Sequence, residues 1–401
     1  MKDKFKTSFL SLQSYCEKEH YKGWDPYDGL NSKVFQAIPY LHNSAIARLC
    51  VIQGFKRCPI NLRKIALIDK EYNAKGIGLL LQGYCNLHQI VVMNPDFSNG
   101  LYSKETILNR INFLANLLID IQSKGYSGAC WGYNFDWQAR RLFLFPKFTP
   151  TVVATTFCST ALMSAYEITK NENYLNIALS SANFVLNDLN RKDCNGGFLF
   201  SYSPLDGNNT VYNASLLGSK LLSHCYHYTN KEEYKTAAKQ SVLACCNGQR
   251  SDGAWVYGML PVQSWVDSFH TGYNLDGLIA YQELTGDMSF QNNINKGFDY
   301  YIHHFFNDDG IPKYYDNKQY PIDIHCPAQL LVTLHRLHQY DKNQNIANNV
   351  LTWTIDHMQD KKGYFYYQLK KGISSKISYM RWSNAFMFYA MSYYFLNNIK
   401  L

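Results

Sequence analysis

Charge is scarce in this 401-residue chain: Asp, Glu, Lys and Arg make up 17% of it, against 46% hydrophobic residues. That balance excludes a disordered, solvating polypeptide. No run of about 18 apolar residues occurs, so no membrane span is expected. The opening stretch MKDKFKTSFLSLQSYCEKEH has neither an uninterrupted apolar segment nor a small-residue cleavage site, and does not read as a secretory signal. The net charge of +8 is not concentrated in any Lys/Arg block. Nucleic acid is therefore not an expected partner, and a mildly basic enzyme with an anionic substrate accounts for the charge at least as well. Eleven cysteines are an odd number, scattered and mostly in apolar helical context (Cys50, Cys158, Cys225, Cys245). They read as reduced thiols of a cytoplasmic protein, not as a disulfide framework.

Glycine and aromatic residues, by contrast, recur with a period. The loops GYSGACWGYNFDW, DCNGGFLFSYSP, SDGAWVYG, DDGIPKYYD and KKGYFYYQLKKG centre on Gly128, Gly197, Gly253, Gly310 and Gly363, at spacings of 69, 56, 57 and 53 residues. The length alone would suggest two or three domains, but a recurring interval means one supersecondary unit used repeatedly. Between the loops, helices come in pairs. The first of each pair is apolar on most faces, as in TPTVVATTFCSTALMSAYEITK, and the second carries charge at a helical period, as in NKEEYKTAAKQSVLACC. Short connections such as TNKEE and TGDMS make each pair an antiparallel hairpin. Two earlier pairs are expected within residues 1–60 and 60–123. The fold class is all-α: an (α/α)6 toroid of helical hairpins over residues 1–401, with the first hairpins in about 1–123 and the clearest repeats in 124–401. No strand-rich second domain is expected.

Function should lie where the glycine loops meet the starts of the inner helices. Polar and aromatic groups cluster there. After the first loop stand Asp136, Arg140 and Arg141, with Trp131 just before them. Tyr212 and Asn213 follow the second. After the third comes WVDSFHTGYNLDG, with Trp265, Asp267, His270, Tyr273 and Asn274. Asp323 and His325 follow the fourth, and Arg381, Trp382 and Asn384 the fifth. Asp or Asn at such positions can simply cap a helix. Capping does not require His270, His325, Arg381 or the tryptophans. Aromatic walls beside carboxylates, imidazoles and a guanidinium suit a saccharide, which offers flat faces for stacking and hydroxyls for hydrogen bonds. Tyrosine, with 32 copies, supplies both functions. His270 and Tyr273 lie three residues apart and share a helix face. They form the candidate acid/base pair, with Arg381 as an anion clamp. Asp267 and Asp323 offer an alternative, two carboxylates flanking a glycosidic bond.

One further stretch belongs to this set. GWDPYDGLNS (23–32) precedes the segment KVFQAIPYLHNSAIARLCVI, read as the first apolar helix. Asn31 or Ser32 can cap it, and Pro26 with Gly29 can turn the chain. Trp24, Asp25, Tyr27 and Asp28 are left over. In a closed ring the first hairpin neighbours the last, which puts Asp25 and Asp28 near Arg381.

The paired helices, the glycine-aromatic loops and the polar helix starts over about residues 100–398 resemble the six-hairpin glycosidase-like superfamily. GWDPYDGLNS and WGYNFDWQAR resemble motifs of proteins from bacterial surface-polysaccharide gene clusters, and the C-terminal half is distantly similar to that of glucuronyl C5-epimerases. The resemblance implies a carbohydrate-active enzyme without a cofactor, acting on an anionic or lipid-linked saccharide by epimerase- or lyase-type proton abstraction. Glycoside hydrolysis by paired aspartates and a non-catalytic glycan- or protein-binding toroid are the alternatives. QRSDGAWVYG (249–258) is similar to a loop element of terpene cyclases but stands without a D-D-x-x-D-like motif. It reads as a toroid loop. A zinc enzyme of the lanthionine-synthetase type would need Cys245, Cys246, His325 and Cys326 as ligands, whose spacing does not match; no metal is expected. Oligomeric state is not legible in the sequence.

Overall fold

The computed structural model describes residues 2–98, 100–138 and 144–399. Helices dominate it. In chain order they are α1 Lys2–Lys18, α2 Lys33–Gln36, α3 Pro39–Asn43, α4 Ala45–Arg57, α5 Ala74–Met93, α6 Lys104–Asp120, α7 Val152–Thr169, α8 Glu172–Asn183, α9 Tyr212–Thr229, α10 Glu232–Asn247, α11 Ser268–Thr285, α12 Gln291–Phe305, α13 His325–Arg336, α14 Gln344–Met358 and α15 Phe386–Ile399. The odd-numbered helices from α5 to α15 form the inner ring. Each packs on the next, and α15 packs back on α5, so the ring closes on six members. This is the (α/α)6 toroid.

Patterning assigns each helix to its layer. In α15 eleven consecutive residues, Phe386 to Leu396, are buried, as an inner helix surrounded on all sides requires. The outer helix α12 buries only Ile294, Gly297, Tyr300, Tyr301 and Phe305, a single stripe at helical spacing. Helices α7, α9 and α11 each end on a left-handed residue (Lys170, Asn230 and Gly286), which reverses the chain into the outer partner.

The glycine period has a steric cause. A Cβ at Gly128, Gly197, Gly253, Gly310 or Gly363 would lie within 2.5 Å of a main-chain oxygen, belonging in turn to Ser180, Gln240, Lys296, Asn349 and Ser11. Each loop therefore presses its backbone against the next outer helix, an approach only glycine permits. The fifth contact falls on Ser11 of α1. That identifies the sixth outer helix: the N-terminal helix packs on α14 and α15 and completes the last hairpin. QRSDGAWVYG belongs to the same loop set: Gln249 donates to Gly253 and Asn293 carbonyls, and Trp255 Nε1 donates to the Cys245 carbonyl. Short antiparallel strands decorate the loops: β1 Trp137–Gln138 with β2 Leu144–Phe145, β3 Arg191–Cys194 with β4 Gly197–Phe200, and β5 Ile322–Asp323 with β6 Tyr366–Leu369 and β7 Ser375–Ser378.

The first third departs from the expected pairs at 1–60 and 60–123. Helix α1 closes the ring from outside, α5/α6 is the first hairpin along the chain, and residues 19–73 are an excursion between them. The segment KVFQAIPYLHNSAIARLCVI is not an inner helix. Pro39 disfavours helical backbone at Ile38, the run breaks into α2, α3 and α4, and only Phe35 and Ile52 of it join a small separate core with Leu30.

Candidate active site

The inner helices all begin at one end of the ring, and in three of them a side chain supplies a hydrogen bond to the first turn. Asn73, Thr151 and Asp267 accept from the backbone N–H of Gly76, Ala154 and His270 at the starts of α5, α7 and α11. Asp267 does more than cap. Its Oδ1 takes the His270 amide (3.0 Å), while Oδ2 faces His270 Nδ1 (2.8 Å) and accepts from Trp265 Nε1 (2.9 Å). An ionised carboxylate only accepts, so the proton sits on Nδ1 and the Nε2 lone pair is left free. The carboxylate is buried, whereas the imidazole side chain is 20% exposed. It stands in an aromatic wall: Tyr257 lies 4.7 Å away, and Trp265 stacks on Tyr257 at 4.6 Å and 14°. Tyr257, Trp265, Tyr314 and Tyr27 are all half-buried, and Tyr27 lies within electrostatic range of Tyr257 and Tyr314.

Below this wall the floor is built from Tyr273, Lys75 and His325. Tyr273 packs edge-on to His270 with ring centres 6.0 Å apart, and its hydroxyl accepts from Lys75 Nζ at 3.0 Å. Lys75 is buried over the rings of Phe157 and Tyr273. Burial first, then the Arg381 charge, hold its ammonium well below the usual lysine range. Burial pushes the Tyr273 phenol up, so it stays protonated. His325, stacked on Phe386 at 4.2 Å, is held well below the ordinary histidine value by burial and by the charges of Lys75 and Arg381. Its Nδ1 has no partner among the described residues.

Arg381 and Trp382 sit in a π-helical turn, Met380–Ala385, that leads into α15. Arg381 donates from Nε to Asp25 Oδ2 (2.5 Å) and from Nη2 to Oδ1 (2.8 Å). The expected meeting of the two chain ends is thus present, but the fork is filled by the protein's own carboxylate and not left open for a substrate anion. Asp28 is held away from Arg381 by Arg63, whose Nε donates to Oδ1 at 2.7 Å. Asp323 is fully buried. It accepts from Trp382 Nε1 (2.8 Å), the His325 amide (3.0 Å) and Gln368 Nε2 (3.1 Å), and burial raises its carboxyl to about 6.

The remaining candidates divide. Asn274 and Asn213 are buried at helix starts, each with one amide atom lacking a partner among the described residues. Trp24 donates from Nε1 to the Ile68 carbonyl and lines a separate rim cleft. Asp136 accepts from the Lys147 amide. Trp131 is wholly buried, with Nε1 donating to the Leu118 carbonyl: it is a core residue of the first loop, the counterpart of Trp255, and not a site wall. Tyr212 packs against Gly248 of the outer layer. Asn384 accepts from the Phe365 amide and donates to Ser378, bracing β6 and β7. Arg140 and Arg141 lie outside the described residues. Lys75, Tyr257, Tyr314 and Tyr133, whose ring lies 4.9 Å from the Arg381 guanidinium, were not singled out by the sequence pattern. For Lys75 a signal existed: it is the sole Lys, Arg, Asp or Glu of α5 and sits in the first turn, where the helix dipole disfavours a cation.

Comparison with known proteins supports the fold. No family model and no curated protein matches the chain. Among solved structures, the cellobiose 2-epimerase of Bacillus thermoamylovorans is similar at TM-score 0.62 and 12% identity, over 82% of this chain and 88% of that one. The GH76 alpha-mannanase of Bacteroides thetaiotaomicron matches at 0.61 and 13%, over 82% and 87%. An unsaturated glucuronyl hydrolase specific for heparin matches at 0.61 and 14%, over 100% and 97%. At these identities the likeness is one of fold: the chain has the six-hairpin toroid found in carbohydrate-active epimerases and hydrolases.

Proposed function

We propose that the protein is a carbohydrate-active enzyme that moves a proton on an anionic or lipid-linked saccharide, as an epimerase or lyase does, in bacterial surface-polysaccharide metabolism. The observation that carries this reading is the Asp267–His270 pair. A buried carboxylate fixes the imidazole tautomer and leaves Nε2 free beside stacking aromatic surfaces. That is what a general base needs: a lone pair, a fixed direction and a partner that stabilises the imidazolium once the proton is taken. A sugar ring lying on Tyr257 and Trp265 would present a C–H to Nε2. The floor holds Lys75, whose ammonium is held low, and Arg381, whose fork is filled by Asp25, so the anionic substrate class rests on the chain's net charge of +8 and not on an open cation in the floor. The Tyr273 phenol, kept protonated over Lys75, is the candidate acid on the far side.

Hydrolysis by Asp267 and Asp323 is the second reading. It fits less well because both oxygens of each carboxylate are already engaged and Asp323 is sealed from solvent.

The test is turnover of uronic-acid and neutral oligosaccharides in D2O. Proton abstraction predicts either deuterium at one sugar carbon of an epimerised product or, for elimination, a chain-cleaved product with a new C=C bond and no added solvent oxygen; either activity should be lost in His270→Ala by roughly 10²–10⁴-fold with the fold intact. In a parallel reaction in 18O-labelled water, incorporation of the label at the anomeric carbon, without carbon-bound deuterium in D2O, would establish hydrolysis instead. Binding without turnover would mean a glycan-binding toroid.

A further inference from the structure

The 19–73 excursion contributes Asp25 and Tyr27 to the site, yet most of its surface plays no part there. Residues 34–67, under a tenth of the chain, carry nine of the twenty large apolar side chains that are exposed among the described residues. They include Tyr40 at 91% exposure and Ile46 and Ile65 at 77% each, with Val34, Ile38 and Ile60 nearby in sequence. A chain that needed this stretch only as a loop would put polar residues there. The same stretch is without acid. From Lys33 to Ile68 there are six Lys or Arg and no Asp or Glu. Arg63 is neutralised by Asp28 and Lys33 is paired with Asp69, while Arg57 and Lys64 are exposed with no ion pair among the described residues. The turn between β6 and β7 extends the surface. Lys370 Nζ donates to the Arg57 carbonyl (3.4 Å), and exposed Lys371 and Ile373 follow it. A cleft of about 380 Å³ borders the excursion at Pro59 and Asn61 and adds Lys22, Lys362 and Lys376.

We infer that this excursion docks the protein on an anionic lipid bilayer, with the exposed aliphatic side chains entering the headgroup–acyl boundary and the lysines and arginines facing lipid phosphate. Exposed aliphatics interspersed with basic residues, with acid confined to the edges at Glu19, Asp69 and Glu71, match that interface in both its chemistries. A second copy of the chain would bring two predominantly basic surfaces together, which like charge opposes. Single-stranded nucleic acid wants flat aromatic platforms, and eight of the nine exposed groups are aliphatic. The excursion is tied to the site through the Lys56–Tyr27 and Arg63–Asp28 bonds. Docking therefore sets the site beside the membrane surface, where a lipid-linked saccharide presents its sugar. The docking itself stands without the proposed chemistry, because vesicle binding needs no substrate.

Flotation of the full chain with phosphatidylglycerol–phosphatidylcholine vesicles, against phosphatidylcholine alone, tests it. Binding should be at least about tenfold tighter to the anionic vesicles and weaken as salt is raised. Arg57→Glu with Lys64→Glu should lose roughly fivefold or more per site. Ile46→Asp with Ile65→Asp should lose binding at unchanged melting temperature. Met288→Asp, at an exposed residue in the connection between α11 and α12, should keep it. Equal binding to neutral vesicles, equal loss in Met288→Asp, RNA binding without flotation, or a dimer that disappears in Ile46→Asp would each overturn the inference.

Discussion

The ring contains two buried charge clusters on its inner helices, and they are built in opposite ways. Nine residues beyond Asp267 along α11, about 13 Å by helical rise, Asp276 accepts from Lys220 Nζ at 2.6 Å and from Arg336 Nε at 3.0 Å. Arg336 also reaches Glu283. The two cations hold the Asp276 carboxyl below its ordinary value even against burial. At the helix starts, Lys75 has a phenol for a partner and His325 Nδ1 has none among the described residues, while His270 turns Nε2 away from Asp267 on a partly exposed ring. A satisfied cluster holds helices together. An unsatisfied one costs stability and persists where a ligand or a reaction uses it.

Substitutions can break this contrast. The largest expected effect is on turnover: Asp267→Asn should approach the His270→Ala loss, because an amide no longer enforces the Nδ1–H tautomer. It should leave denaturant stability within about 1 kcal/mol, since Asn still caps α11. Next, Asp276→Ala strands Lys220 and Arg336 and should cost about 3–5 kcal/mol in urea unfolding, with little direct effect on chemistry. A pair of lysine variants sharpens the comparison by sign. Lys220→Met leaves Asp276 with one cation and should destabilise, whereas Lys75→Met removes a cation without a carboxylate contact and should be neutral or stabilising by about 1 kcal/mol, while impairing turnover. Equal destabilisation by both would show that Lys75 is as structural as Lys220. The smallest effect is in pH. The Asp323 carboxyl, raised to about 6 in the folded state, binds its proton more tightly there than when unfolded. Its contribution to stability is present below the unfolded carboxylate range and is lost as pH rises through about 6, by at most about 1.4 kcal/mol per pH unit. Asp323→Asn should flatten melting-temperature profiles between pH 4 and 6.5.

The comparison also separates what could be read early from what could not. His270 and Asp267 were each legible as candidates, but the spacing paired His270 with Tyr273 and Asp267 with Asp323; that the capping carboxylate instead holds the imidazole three positions on is a finding of the structure. Asp25 meeting Arg381, 356 positions apart, followed from supposing the ring closed. That Asp25 would fill both arms of the guanidinium, taking the clamp away from a substrate, did not follow. Trp131 and Trp265 have similar sequence neighbourhoods, glycine-aromatic loops before an apolar helix. One is sealed against Leu118 and the other is half-buried beside His270.

Sequence by itself determined the repeat, the two classes of helix, the glycines at each loop and the end of the ring where polar groups gather. Those are local properties, written in period, caps and steric need. Tertiary structure alone decided that α1 supplies the sixth outer helix, that residues 19–73 leave the ring, that Lys75 lies under Tyr273, and which buried charges are answered. Burial and pairing depend on neighbours brought together by closure of the ring, and nothing in the spacing of residues along the chain encodes the direction in which a side chain finally meets its partner.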